Sequence, residues 1–234
     1  MGLKLNILLY KYMIVFKHRS NYFCYLNNPK CGTHNFSVFY NTHLSKFVEP
    51  IWYAFTQPLD NNMSIDYSNF TYYHCNLKGA IHFFESKQIS LENVVFITTI
   101  RNPFEKLLSA YWYALKYGNV TKLYNNNWSQ QEDFNKFVLE DIHIKNFEPS
   151  NFRISNDYNV NVNILRLENW YEDFNLLCEK YNFPVDKRNI FNEQILNSSV
   201  RREQLVFNKE MTNYVLDKYH KDFEDGKYNL NLNN

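Results

Sequence analysis

Glycine and proline are scarce in this sequence, which contains five and six of them among 234 residues. The hydrophobic content is 45%, enough for one sizeable buried core at this length. The hydrophobic content excludes a chain that is too polar to bury a core. The length favours one domain over two. The sequence also lacks an internal repeat of fixed period, so we expect one compact fold and no repeat architecture.

Cysteine is also rare, and its spacing excludes a common kind of metal site. The four cysteines are Cys24, Cys31, Cys75 and Cys178. None of them forms a C-x-x-C pair or has the histidine spacing of a zinc site. We therefore predict free thiols in a reducing compartment and no bound metal.

The chain has little excess of either charge, because 25 Lys and Arg oppose 24 Asp and Glu. A net charge of +1 gives no global positive field, so nucleic acid is not a predicted partner. An anionic ligand would have to be bound by a local cluster of basic side chains. We expect the partner to be small or neutral.

Long hydrophobic runs are lacking as well. The apolar stretch at 6–16 is interrupted by Lys11 and ends before Lys17, so it is too short to cross a bilayer. No small-residue cleavage site follows it. We expect a strand or a short extension here, and assign 1–12 to an N-terminal extension and 13–234 to a single domain. A soluble, cytoplasmic protein without a transmembrane segment is predicted.

Strand-like and helix-like segments alternate along the chain. The clearest strand is VVFITTI at 94–100, a β-branched run typical of a central strand buried on both faces of a parallel sheet. Pro103 then suits the first turn of a helix whose apolar residues recur at helical spacing. The alternation predicts an α/β fold with a mainly parallel sheet and helices on both faces. Strands are predicted over 21–27, 71–75, 94–100 and 159–170, and helices over 33–47, 76–87, 103–117, 130–140, 170–181 and 209–219.

Polar side chains follow three of these predicted strands. Lys30 and Thr33 come after the first, His74 after the second, and Arg101 after the third, with Ser109 in the next helix. In a parallel α/β sheet, ligands bind beyond the carboxyl ends of the strands, where helix N-termini also point. We therefore expect these groups to line one edge of the sheet.

The segment YLNNPKCGTHNF at 25–36 combines a strand end, a Lys-x-Gly-Thr turn and a helix start. This order is similar to a phosphate-binding loop. A nucleoside triphosphatase loop would carry a second glycine and end in Gly-Lys-Ser or Gly-Lys-Thr, and both features are missing. The loop therefore indicates an anion other than a magnesium-bound triphosphate.

Two segments resemble the motifs with which sulfotransferases bind 3′-phosphoadenosine 5′-phosphosulfate (PAPS). NNPKCGTHNF at 27–36 resembles their 5′-phosphosulfate loop, and IRNPFEKLLSAYW at 100–112 resembles their 3′-phosphate motif, R-[ND]-P-x-x-[RK]-x-x-S-x-Y. YYHCNLKGAIHFF, ILRLENWYEDF and YHKDFEDGKY match further segments in order, so the resemblance spans 13–228. It favours membrane-type and microbial carbohydrate sulfotransferases over the cytosolic phenol and steroid enzymes, and implies a P-loop-like sulfotransferase fold.

The resemblance implies a role for several residues. Lys30 would stabilise the bridging oxygen as the sulfuryl group leaves, and His74 would act as the base for the acceptor. Arg101 and Ser109 would bind the 3′-phosphate, while backbone N–H groups from Gly32 onward would hold the 5′-phosphate. The implied PAPS contacts are Lys30, Cys31, Gly32, Thr33, His34, Asn35, Arg101, Ser109, Ser199 and Arg201.

Some alternatives stay open at the level of sequence. His34 competes with His74 for the base role, and Arg202 competes with Arg201 in the third cofactor segment. The predicted acceptor is a hydroxyl, or less favourably an amine, of a carbohydrate or small molecule, with specificity in loops at 50–69 and 117–128. The alternative functions are a P-loop-like nucleotide or small-molecule kinase and a non-catalytic module that binds PAPS or its bisphosphate product.

Overall fold

The computed structural model describes residues 14–28, 30–50, 77–118, 121–140, 158–185 and 205–229. Outside these ranges lie the extension at 1–12, the strand at 71–75 with His74, and the segment with Ser199 and Arg201. Among the helices within the ranges, none combines the length and apolarity needed to span a bilayer.

Strands and helices alternate through the described part of the chain. The strands are β1 (Ile14–His18), β2 (Asn21–Leu26), β3 (Glu49–Pro50), β4 (Val94–Ile100) and β5 (Val162–Arg166). The helices are α1 (Thr33–Phe39), α2 (Leu77–Ser86), α3 (Pro103–Gly118), α4 (Gln130–Glu140), α5 (Trp170–Tyr181), α6 (Lys209–Lys218) and α7 (His220–Gly226). A π-helical turn at Tyr40–Leu44 extends α1, and 3₁₀ turns at Leu91–Asn93 and Leu167–Asn169 precede β4 and α5.

These strands form one sheet in the order β3-β1-β2-β4-β5. β2 pairs in parallel with β4, and Leu26 lies opposite Thr98. β1 pairs antiparallel with both β2 and β3, so β2, β3 and β4 run in one direction and β1 runs in the other. The predicted α/β class, with a mostly parallel sheet, is confirmed.

Helices cover both faces of this sheet because β2 and β4 alternate their side chains between the faces. Tyr25 and Ile97 pack with α1 and α5 in one buried cluster. Cys24, Leu26 and Phe96 pack with α2 in another. β4 therefore lies between two apolar layers, as its continuous β-branched run predicts.

The chain divides into two compact units. The first comprises 1–99 and 149–196 and contains the sheet except Ile100, and the second comprises 100–148 and 197–234. In the second unit, the core is formed by residues of α3, α4, α6 and α7 and the ends of their connections, including Tyr111, Phe134, Met211, Val215 and Phe223. The prediction of one domain over 13–234 stays a prediction.

Several predicted boundaries need correction. The helix predicted over 33–47 is α1 followed by the π-helical turn, which ends at Leu44. The buried strand predicted over 159–170 is wrong in length and burial: β5 covers only Val162–Arg166, and Leu165 is its one fully buried residue because β5 lies at the sheet edge. α6 ends at Lys218, before the end of the helix predicted over 209–219, and α7, which follows it, was not predicted.

The hairpin of β1 and β2 is a further difference. The sequence predicts a strand or an extension before residue 17, and β1 is a strand through His18. The two-residue connection contains Arg19 in a left-handed conformation, φ 55°, without a glycine. Because the usual glycine of such turns is missing, the sequence gives no signal for antiparallel pairing here.

Candidate functional site

The loop between β2 and α1 brings the first group of predicted site residues together. It leaves the carboxyl end of β2 at Leu26 and enters α1 through Gly32, the N-cap residue. Lys30 and Gly32 both have left-handed backbones, with φ of 61° and 80°. Two hydrogen bonds close the turns, from Cys31 N to Asn28 O at 3.3 Å and from Asn35 N to Gly32 O at 2.9 Å.

A buried polar network lies under this loop, between the carboxyl ends of β2 and β4. The Asn28 Nδ2 group donates to the Thr99 carbonyl at 2.9 Å, and the Tyr25 hydroxyl bonds to Thr99 Oγ1 at 2.8 Å. The Thr98 hydroxyl donates to the Leu26 carbonyl at 3.1 Å. Tyr25, Asn28, Thr98 and Thr99 are all 0% exposed. Bonds made in such a dry environment are costly to break, so they hold the loop to the sheet.

Two observations favour glycine at position 32. Its φ of 80° is disfavoured for any residue with a Cβ atom. A Cβ atom there would also lie 2.4 Å from Leu167 Cδ1, at the 3₁₀ turn after β5. The loop therefore lies close to the turn that follows β5.

The remaining loop residues differ in their surroundings. Lys30 is partly exposed, while Cys31 is fully buried. Asn35 is 9% exposed, and its Oδ1 atom has no hydrogen-bond partner among the described residues. Thr33 and His34 are the first two residues of α1.

The second group of site residues follows β4. Arg101 and Asn102 connect β4 to α3, which begins at Pro103 as predicted. The Asn102 Oδ1 atom accepts a hydrogen bond from Phe104 N at 3.0 Å, and the Asn102 carbonyl accepts one from Lys106 N at 2.9 Å. Asn102 therefore caps α3, and the Arg-Asn-Pro sequence has a local structural reason as well as a resemblance.

Arg101 forms an ion pair that the sequence reasoning missed. Its Nη2 atom lies 3.2 Å from Glu105 Oε2, four residues further along the chain, with side-chain exposures of 21% and 34%. The i, i+4 spacing of opposite charges was the available signal. Glu105 holds the guanidinium at the start of α3, where an anionic ligand would compete with it.

Ser109 and Tyr111, two further motif positions on α3, are in different environments. Ser109 is partly exposed. Tyr111 is 0% exposed, and its hydroxyl donates to Asp133 Oδ2 at 2.9 Å. Asp133 also accepts from Leu123 N and Tyr124 N, each at 2.9 Å. Tyr111 therefore serves the core, and Asp133, which the sequence reasoning did not single out, organises the loop before α4.

The two groups of predicted site residues belong to different units. Lys30, Cys31, Gly32 and Asn35 lie in the first unit, and Arg101 and Ser109 in the second. Over the described stretches, no group of three or more His, Cys, Asp or Glu side chains is arranged to hold a metal ion. No family model, curated protein or solved structure matches the chain.

Proposed function

We propose that this protein is a PAPS-dependent sulfotransferase. The observation that carries the proposal is the loop between β2 and α1, in which Lys30 has a left-handed backbone two residues before Gly32, the N-cap residue of α1. That loop follows the carboxyl end of β2, which pairs in parallel with β4, the usual position of an anion site in an α/β sheet. The predicted acceptor is a hydroxyl, or less favourably an amine, of a carbohydrate or small molecule.

The reaction would form one S–O bond and break another. The acceptor oxygen attacks sulfur, the bond from sulfur to the bridging oxygen of the 5′-phosphate breaks, and adenosine 3′,5′-bisphosphate leaves. Negative charge grows on that bridging oxygen, and the Lys30 ammonium group would stabilise it. The acceptor proton would pass to a base, for which His74 is the candidate and His34 the alternative.

The 3′-phosphate would be bound by Arg101, with a hydrogen bond from Ser109. A guanidinium group can make a forked contact with a phosphate, stronger than its contact with one carboxylate oxygen. The 3′-phosphate would therefore displace or share the Glu105 carboxylate that now lies 3.2 Å from Arg101. Ser199 and Arg201 remain predicted contacts.

Charge removal tests the proposal. The variants Lys30→Ala and Arg101→Ala should each lower transfer of labelled sulfate from PAPS by at least about a hundredfold, because each removes a group that stabilises the transferring anion. Lys46→Ala, at an exposed position of the first unit, and Lys221→Ala, at an exposed position of α7, are matched controls that should keep full activity. Circular dichroism would verify that all four variants are folded.

Three outcomes would contradict the proposal. Full activity in Lys30→Ala or Arg101→Ala would show that the replaced residue is not a required contact of the anion. Phosphoryl transfer from ATP and magnesium would instead indicate the kinase alternative. Tight binding of adenosine 3′,5′-bisphosphate without transfer to any acceptor in a broad panel, read by mass spectrometry, would indicate a binding module.

A further inference from the structure

We infer that Asn28 is a positioning residue, whose buried side chain holds the loop with Lys30 in its ligand-binding conformation. The inference rests on the proposed function, because it assigns Asn28 to the reaction through Lys30. Asn28 lies two residues before Lys30 and is 0% exposed. No contact between Asn28 and the ligand is proposed.

Asn28 takes part in one hydrogen bond to the sheet and one within the loop. Its side-chain Nδ2 donates to the Thr99 carbonyl on β4 at 2.9 Å. Its own carbonyl accepts from Cys31 N at 3.3 Å, which closes the turn around Lys30. Without the side-chain amide of Asn28, the Thr99 carbonyl would lose this buried hydrogen bond, and the loop would no longer be held to β4 at this point.

The backbone of Lys30 makes this anchoring necessary. A lysine at φ 61° is in a sparsely populated conformation that persists only where the surrounding structure holds it. On the far side of Lys30, Gly32 is the N-cap residue of α1, and its carbonyl accepts a hydrogen bond from Asn35 N at 2.9 Å. If Asn28 releases its side, Lys30 can relax toward negative φ, and its side chain then leaves the loop in another direction.

Displacement of this kind matters for charge stabilisation. An ammonium group must lie close to the oxygen on which charge develops, and a displacement of about 1 Å can cost on the order of a hundredfold in rate. An anchor that never contacts the substrate can therefore control the reaction. This separates Asn28 from Lys30, which would touch the ligand.

Cysteine protection measures the anchor without any reference to activity. Cys31 is buried in the loop, while Cys24 on β2 and Cys178 on α5 are buried elsewhere in the same unit. In Asn28→Ala and Asn28→Asp, alkylation of Cys31 by iodoacetamide, mapped by mass spectrometry, should be about tenfold faster, and that of Cys24 and Cys178 unchanged. Asn163→Ala is the matched control. It removes a hydrogen bond from a side-chain amide to the Phe96 carbonyl, which is also on β4 but lies outside the loop.

A binding cycle then tests whether Asn28 acts through Lys30. Calorimetry with adenosine 3′,5′-bisphosphate should show about tenfold weaker binding in Asn28→Ala than in the wild-type protein. In the Lys30→Ala background, the same Asn28→Ala change should have little further effect. Equal weakening in both backgrounds would overturn the inference, because Asn28 would then act independently of Lys30.

The remaining outcomes are also decisive. Unchanged Cys31 protection in both Asn28 variants would overturn the anchor, as would faster alkylation of all three cysteines together, which indicates a loss of stability of the whole unit. If the wild-type protein binds no bisphosphate, the proposed function fails and the role of Asn28 in transfer fails with it. In that case a selective gain in Cys31 alkylation would still support the loop anchor.

Discussion

Left-handed backbone at Lys30 and Gly32 defines the candidate site at the scale of single residues. Glycine takes this conformation at little cost, whereas lysine does not. The unfavourable backbone conformation therefore falls on Lys30, which carries the charge. Gly32, at the start of α1, adopts its left-handed conformation at little cost. Such an arrangement is typical of ligand-binding turns, in which neighbouring bonds hold an unfavourable conformation.

Replacement of Gly32 by alanine should destabilise the protein. The left-handed conformation alone costs about 1 to 2 kcal/mol for a residue with a Cβ atom. The added Cβ atom would also lie 2.4 Å from Leu167 Cδ1, so Leu167 must shift. Urea denaturation should therefore give a free energy of unfolding about 2 kcal/mol or more below that of the wild-type protein.

A cycle with Leu167→Ala separates the two causes. If the side-chain contact contributes, Gly32→Ala and Leu167→Ala together should cost less than the sum of their separate effects. An additive result would assign the whole effect of Gly32→Ala to backbone conformation. Loss of stability in neither single variant would contradict the loop geometry.

At the scale of elements, side-chain caps define where several of the helices begin. α3 begins with the cap from Asn102, and α6 with Asn208, whose side chain accepts from Met211 N. α4 begins with a reciprocal pair, in which Ser129 N donates to Glu132 Oε2 at 2.7 Å and Glu132 N donates to Ser129 Oγ at 3.2 Å. These caps satisfy N–H groups that have no partner within the helix.

Removal of the Ser129 cap should weaken α4. Ser129→Ala should lower the free energy of unfolding by about 1 kcal/mol, because the helix loses a side-chain acceptor at its first turn. Urea denaturation of this variant beside Thr121→Ala, at an exposed loop position in the same unit, would measure the difference. An equal effect of the two substitutions would contradict the cap.

The cap should also make stability depend on pH. Hydrogen bonds from the Ser129 backbone and side chain lower the pKa of Glu132 from its ordinary value of 4.5. Ionised Glu132 therefore contributes stability above that value, and the contribution is lost as the pH falls through the lowered pKa of the folded state. The difference in stability between the wild-type protein and Glu132→Gln should be largest near neutral pH and should shrink below pH 4.5. A difference that grows in acid would show the opposite sign of linkage.

For the whole molecule, ligand binding and folding are linked. A ligand that binds the folded protein alone stabilises it by about 2.7 kcal/mol at a concentration of about 100 times its Kd. Adenosine 3′,5′-bisphosphate at that concentration should raise Tm by about 5 to 10 °C for a chain of this size. Differential scanning fluorimetry would measure the shift, and Arg101→Ala should reduce it strongly. A larger shift with ATP and magnesium would contradict the choice of ligand.

Local pattern predicted the elements whose stability depends on their own periodicity. β4 and α4 occupy their predicted ranges, α5 occupies 170–181 as predicted, and α2 differs by one residue at each end. Their apolar residues repeat with the period of a strand or a helix, and Pro103 begins α3 as its fixed φ suggests. The length of the edge strand β5 was overestimated, because the mixed polar and apolar sequence continues beyond the residues that form the strand.

Candidate residues were predicted less completely. Lys30, Gly32 and Arg101 could be selected because their spacing in the sequence resembles two anion motifs. Asn28, Glu105 and Asp133 were missed as partners, because the importance of each depends on an atom it contacts. Tyr111 was matched as part of a motif, yet its hydroxyl is used by Asp133 in the core.

The sequence by itself determined the alternation of strands and helices, the buried character of β4 and the Lys-x-Gly turn before α1. These follow from side-chain periodicity and backbone preference, which act over a few residues. Only the tertiary structure decided that β1 pairs antiparallel with β2, that Leu167 lies close to position 32, and that the Asn28 side chain bonds to Thr99. Those features depend on residues far apart in the chain, whose contact is fixed by how the sheet and its connections pack.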